Sequence, residues 1–241
     1  MGDIDMIQEH SIVLWKGAEN SAATFEEISR RAFVFIENLK KISRFSYLYI
    51  NEAANVYEEL PSTFDSFCSL LKSNVNQENG QIFEDLGYYI SFVTKKGKAA
   101  DFSVDLHIGN KDMHFVNTCV IDIPTDMDLT SGENVAFIKK LFPVLVNQFK
   151  PFWGCVSNKI ITRKYGRHMN GKFPGTVQWI NFWQEEIIDD LLKNKLIRIQ
   201  AEFPEFEIKE NMIIAKEMPF NMENEKDVSY QENLHKLIFN E

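Results

Sequence analysis

Cysteine is scarce: Cys68, Cys119 and Cys155 are the only three in 241 residues, far apart and each in an apolar setting. With no CxxC pair, the usual zinc and dithiol-redox motifs are excluded. An odd set of isolated thiols suits reduced, buried side chains better than a disulfide framework. Long apolar runs are missing too, since none approaches the roughly 18 residues needed to span a bilayer. The opening MGDIDMIQEHS lacks the basic and apolar regions of a secretory signal. Met6 stands where a myristoylation motif needs Ser or Thr. The expected location is the cytoplasm, with no membrane. Only 7 Pro and 11 Gly occur, against 44% hydrophobic residues and 20 Phe. That balance excludes collagen-like and disordered chains and predicts an aromatic-rich globular core.

Acid is absent from one long stretch. Residues 134–184 contain no Asp or Glu, and their cations are Lys139, Lys140, Lys150, Lys159, Arg163, Lys164, Arg167 and Lys172. The formal balance is −10 over residues 1–133, +8 over 134–184 and −7 over 185–241, within a net charge of −9. Acidic flanks attract a basic partner, whereas a basic middle attracts anions, so both signs must be accounted for.

Periodicity supplies the elements. His10–Trp15 reads as a strand. Thr24 and Glu27 have capping-box spacing, and Phe25, Ile28, Ala32, Phe35, Ile36, Leu39 and Ile42 then recur at the helical period. A second helix is expected from Pro61, followed by a polar loop over Ser73–Gln81. Gly87–Thr94, Asp101–Ile108 and Phe115–Ile123 alternate as three strands, the first two joined by the turn Lys95-Lys96-Gly97-Lys98. In the middle strand Phe102, Val104, Leu106 and Ile108 face the core, and Ser103, Asp105 and His107 face water. Ser131–Phe149 returns to helix, with a kink or break expected near Leu141–Pro143. The segment Trp153–Asn158 is followed by a polar stretch, Lys159–Gly175, and a strand over Thr176–Phe182. Glu185–Leu196 is expected as helix, Arg198–Phe203 and Met212–Glu217 as strands, and Ser229–Phe239 as a closing helix. Strands cluster instead of alternating with helices, which predicts an α+β fold: one domain over residues 1–241, mainly antiparallel sheet with helices on one face.

Catalytic motifs are also lacking. There is no HExxH, GxSxG, Walker loop or GxGxxG. Cys155 with His168 downstream matches no nucleophile–base signature, and reads as a buried thiol and a surface histidine. Asp105, His107, Asp112 and His114 are metal-ligand types, yet their spacing fits no recognised pattern. No enzyme activity, metal or cofactor is therefore expected. What remains is charge. Glu185, Glu186, Asp189 and Asp190 form i,i+4 carboxylate pairs opposite an apolar helix face, and Glu202, Glu205, Glu207 and Glu210 follow. These acids, with Asp105 and His107 on the wet sheet face, are the candidate contacts for a basic partner. Arg163, Lys164, Arg167 and Lys172, in the expected loop 159–172, are the alternative anion-binding set, which either contacts a partner or pairs internally. Aromatics interleave with this basic stretch, as single-stranded nucleic acid would require. Core packing accounts for most of them.

Several segments together resemble the bacterial immunity protein 52 family. The first strand ends in Trp15-Lys16-Gly17 and leads into the long Phe25–Ile42 helix. A later helix closes on Phe149-Lys150-Pro151-Phe152-Trp153-Gly154. The strand with Val177-Gln178-Trp179 and the Met212-Ile213-Ile214 strand with Pro219-Phe220 follow in order. The resemblance spans most of the chain and rests on packing residues. It implies a non-enzymatic α+β immunity protein of a polymorphic toxin system, which neutralises a cognate toxin, often a nuclease, by binding it. Acidic side chains suit that role, because a nuclease presents a basic cleft. The alternative is a nucleic-acid- or phosphate-binding module using the basic 159–172 loop.

Overall fold

The computed structural model describes residues 9–53, 56–96, 102–166, 168–170 and 172–239. Its backbone divides into two compact units. The N-terminal unit comprises Leu14–Pro124 and Gln148–Pro151; the C-terminal unit comprises Thr125–Asn147, Phe152–Glu241 and the chain through Val13.

The N-terminal unit takes the later half of β1 (His10–Lys16), then α1 (Phe25–Lys40), β2 (Tyr49–Ala53), β3 (Val56–Glu59) and α2 (Phe64–Ser73). After these come β4 (Gln77–Glu78), β5 (Gln81–Ile82), β6 (Tyr88–Val93), β7 (Ser103–Ile108) and β8 (Asn117–Asp122). Strands β8-β7-β6-β2-β3 lie side by side, and their pairs are antiparallel. Helix α1 starts where the sequence puts it. Thr24 Oγ1 accepts from the Glu27 N–H at 3.2 Å and Glu27 Oε2 accepts from the Thr24 N–H at 2.8 Å, a complete capping box. Its buried stripe is Ile28, Ala32, Phe35, Ile36 and Leu39. Phe102, Val104 and Leu106 are buried as expected. On the opposite face His107 lies across from Tyr89 and Asp105 across from Ser91.

Two expectations change in this unit. Helix α2 begins at Phe64, capped by the Thr63 side chain and not led in by Pro61. The polar stretch after it contains the β4–β5 hairpin, turning on Asn79 and Gly80 at φ 50° and 81°. Residues 97, 98 and 101, part of the expected turn and strand start, lie outside the described residues.

The C-terminal unit takes the start of β1, most of α3 (Gly132–Phe149), β9 (Trp153–Asn158), α4 (Lys159–Tyr165) and the short β10 (Met169–Asn170) and β11 (Phe173–Pro174). It continues with β12 (Ile180–Trp183), α5 (Glu185–Leu192), α6 (Leu196–Glu202), β13 (Glu207–Lys209), β14 (Met212–Ile214) and α7 (Glu225–Phe239). Strands β13-β14-β12-β9 are neighbours in antiparallel pairs. Trp153, Trp179 and Trp183 are almost fully buried, as the aromatic composition predicts.

Four corrections belong here. Helix α3 runs through Pro143 without a break. Proline removes one intrahelical N–H, but Leu141, Phe142, Leu145 and Val146 around it are buried, and that packing carries the helix across. The expected strand over Arg198–Phe203 is helix α6. Two residues apart share a face in a strand, yet Ile197 is 88% exposed while Ile199 is fully buried, a separation only a helical turn gives. Helix α5 ends at Leu192, short of Leu196. Strand β12 starts at Ile180 because Asn181 occupies the backbone of Gln178, accepting from its N–H at 3.0 Å and donating to its carbonyl at 2.8 Å. With these corrections the fold class stands as α+β, built mainly on antiparallel strands.

Candidate functional site

The acidic set lies in the C-terminal unit apart from two members. On α5, Ile187 and Leu192 are buried, so the helix must turn Glu185, Glu186, Asp189 and Asp190 outward, and all four are exposed. Asp190 accepts from Lys172 Nζ at 2.6 Å. Glu185, Glu186 and Asp189 have no ion pair among the described residues. Two of these acids occupy the first turn, where the positive end of the helix dipole favours them. Further along, Glu202 holds Arg198 across one turn of α6 at 2.7 Å. Glu205 accepts from the Glu217 N–H at 3.0 Å. Glu207 and Glu210 are exposed at the β13–β14 hairpin.

Asp105 and His107 belong to the N-terminal unit and are already engaged. The Tyr89 hydroxyl donates to Asp105 at 2.6 Å; partial burial and that carboxylate push the tyrosine pKa up to about 12. His107 Nε2 donates to the Leu86 carbonyl at 2.7 Å, and Asn76 Nδ2 donates to the same carbonyl at 2.8 Å. His107 thus fastens the approach to β6. Asp112 accepts from the His114 N–H at 2.8 Å, forming a side-chain turn between β7 and β8. Asp105, His107 and Asp112 are turn and sheet fasteners here, and His114 takes part through its backbone N–H. Among the described residues no group of three or more His, Cys, Asp or Glu side chains could hold a metal ion.

The basic stretch is not the loop expected over 159–172. Asn158 caps α4 by accepting from the N–H groups of Ile160 and Ile161, and Gly166 ends it at φ 69°. Its cations meet acids brought from the flanks: Lys159 bonds Glu9, Lys164 bonds Glu232 and Lys172 bonds Asp190. The Lys159 ammonium, by hydrogen bond and charge, holds the Glu9 carboxyl below the usual carboxylate range, and Lys164 does the same to Glu232. Arg163 is exposed, and Arg167 lies outside the described residues. Internal pairing therefore accounts for three of the eight positive charges.

Cys155 and Cys119 are fully buried, and burial pushes both thiols far above their ordinary pKa. Burial thus disfavours the thiolate at both sites. Burial lowers the pKa of His168, which packs against Trp153 with ring centroids 5.4 Å apart. The expected surface histidine is thus half-buried.

A feature the sequence did not reveal is a cavity of about 340 Å³ in the N-terminal unit. Ile28, Ala32 and Phe35 of α1, Leu106 and Ile108 of β7, and Phe149 supply its apolar lining. Lys16, Arg30, Arg31 and Lys150 also line it, against a single carboxylate, Glu19. No periodicity could have flagged it, because its walls come from segments far apart along the chain, from Lys16 to Lys150.

The fold is similar to that of a Pseudomonas aeruginosa T6SS protein, with a TM-score of 0.53 and 11% sequence identity, covering 95% of this chain and 73% of that one. No family model matches the sequence, that of immunity protein 52 included. No curated protein matches it either. Among the described residues no helix is long and apolar enough to cross a membrane.

Proposed function

We propose that the chain is a non-enzymatic immunity protein of a bacterial toxin system, acting in the cytoplasm by binding a protein toxin, with a nuclease as the toxin class. The observation that carries this reading is the contrast in how charges are used. Three of the eight cations of the basic middle, Lys159, Lys164 and Lys172, are drawn into internal pairs, while Glu185, Glu186 and Asp189 stand exposed on one short helix with no ion pair among the described residues. Such an array suits the basic substrate cleft of a nuclease, where carboxylates compete with phosphate and steer association. The motif resemblance at Trp15-Lys16-Gly17 and Phe149–Gly154 and the fold likeness to a T6SS protein support the same assignment. Burial of Cys155 supports a binding role over a thiol hydrolase.

Co-expression with the product of the neighbouring gene tests it. Growth should be rescued from that protein's toxicity, and the two should co-purify as a stoichiometric complex in which nuclease activity is lost. An innocuous neighbour, or toxicity that persists despite soluble expression of this chain, would defeat the proposal. So would tight, steeply salt-dependent retention of DNA or RNA on a filter, which is the signature of a phosphate-binding module.

A further inference from the structure

We propose that the cavity of the N-terminal unit is a binding site for an amphipathic organic anion: an aliphatic chain of about ten carbons ending in a carboxylate, with an O–H or N–H donor beside it. This stands independently of the immunity reading. Size comes first. At about 340 Å³ the cavity falls in the range of small-molecule sites. At roughly 30 Å³ for each water-sized group it holds about eleven such groups. The apolar lining excludes a small hydrophilic ion as the main occupant and favours a hydrocarbon body.

Charge then fixes the head group. Four cations and one carboxylate line the cavity. Glu19 is shared between Lys16 at 2.9 Å and Arg31 at 2.8 Å, and Arg30 is occupied by Glu26 at 2.8 Å. Lys150 is exposed and has no ion pair among the described residues. Its backbone sits at φ 54°, in the left-handed region that disfavours a side chain by roughly 1–2 kcal/mol. Glycine would relieve that strain, so a lysine in its place at a cavity wall points to a use for the ammonium.

The donor follows from Gln148. Its Oε1 is buried with no hydrogen-bond partner among the described residues, and the residue lines the same cavity. An unmet buried acceptor calls for a donor. Gln148 and Lys150 flank Phe149 in sequence, so the donor belongs close to the carboxylate on the guest.

Calorimetric titration of the full chain with 2-hydroxydecanoate tests the proposal. Saturable one-to-one binding is expected. Methyl 2-hydroxydecanoate, which keeps the donor and loses the charge, should bind about tenfold more weakly, the scale of one charge-assisted hydrogen bond. Decanoate, which keeps the charge and loses the donor, should fall between them. Lys150→Gly retains the left-handed backbone and should bring 2-hydroxydecanoate down to the affinity of its ester. Ala32→Leu fills the lining and should abolish binding. Val34→Trp narrows the cavity from a position that is 51% exposed, so it tests the site even if the Ala32→Leu protein fails to fold. Absence of saturable binding overturns the proposal, as does binding that Val34→Trp and Lys150→Gly leave unchanged. If 2-hydroxydecanoate does not bind while Val34→Trp weakens capture of a protein toxin, the cavity is a protein contact and the proposal falls.

Discussion

Asn158 serves two elements with one side chain. Its Oδ1 caps α4, accepting from Ile160 N–H at 2.8 Å, and its Nδ2 lies 3.2 Å from Nε2 of His10 in β1. Its backbone N–H donates to Gln178 Oε1 at 2.9 Å. The residue is 3% exposed, so water cannot replace what it provides. Removing a cap costs about 1 kcal/mol, and losing the buried side-chain hydrogen bond to His10 costs about as much again or more. Asn158→Ala should therefore lower stability by roughly 2–3 kcal/mol, read as a drop in denaturant midpoint at unchanged slope. His168 makes a different demand on the fold. Its pKa is lowered by burial from the ordinary 6.5, so the unfolded chain binds a proton more readily than the folded one. Stability from this residue is complete above pH 6.5 and is lost as pH falls towards the lowered folded value. A second decline follows below pH 4.5, as Glu9 and Glu232 are protonated and release Lys159 and Lys164. Thermal unfolding across roughly pH 4–8 should show the first decline in the native chain and a weaker one in His168→Gln. Identical profiles would show that another group sets the upper slope.

At the level of elements, the backbone packs closely where β6 begins beside the end of β7. Gly87 sits at φ 78°, and a Cβ placed there would lie 2.3 Å from the Ile108 carbonyl oxygen and 2.6 Å from the Asn110 nitrogen. Both obstacles are backbone, which cannot swing aside. Gly87→Ala should cost roughly 2–4 kcal/mol and loosen the Leu86 carbonyl from His107 and Asn76. A midpoint within experimental error of the native value would contradict this. Such junctions are only partly legible in sequence. The capping box at Thr24, the stripe of α1 and the alternation of β6, β7 and β8 can be read because each signal is local. The β4–β5 hairpin carries an equally local signal, Asn79-Gly80, but its strands are two residues each and too short for alternation to register. The β13–β14 hairpin has no such signal. It turns on Glu210 and Asn211 at φ 50° and 65°, a left-handed pair without glycine, where Asn-Gly is the usual mark. Helix α6 passes for a strand in sequence because Arg198–Phe203 alternates polar and apolar residues, until exposure separates Ile197 from Ile199.

Across the whole molecule, charge is legible as composition but not as arrangement. The basic middle and acidic flanks can be counted, yet only tertiary structure pairs Lys159 with Glu9, Lys164 with Glu232 and Lys172 with Asp190. Each of these pairs is partly exposed, and such pairs are worth at most about 1 kcal/mol. Their consequence is the field they cancel more than the stability they add. With those cations neutralised, the exposed acids of α5 weigh more heavily on an approaching partner. Asp190 is committed to Lys172, so the informative substitutions are Glu186→Lys and Asp189→Lys. Reversing both charges should slow association with a basic toxin by roughly tenfold at low salt, an electrostatic steering effect that shrinks as ionic strength shortens the screening length. Dissociation should change less, because charges at an interface rim act mainly on the encounter. Stopped-flow association at several salt concentrations separates the two rates. An association rate insensitive to both salt and the double substitution would remove α5 from the contact, and would leave Glu207 and Glu210 at the β13–β14 hairpin as the next acids to reverse.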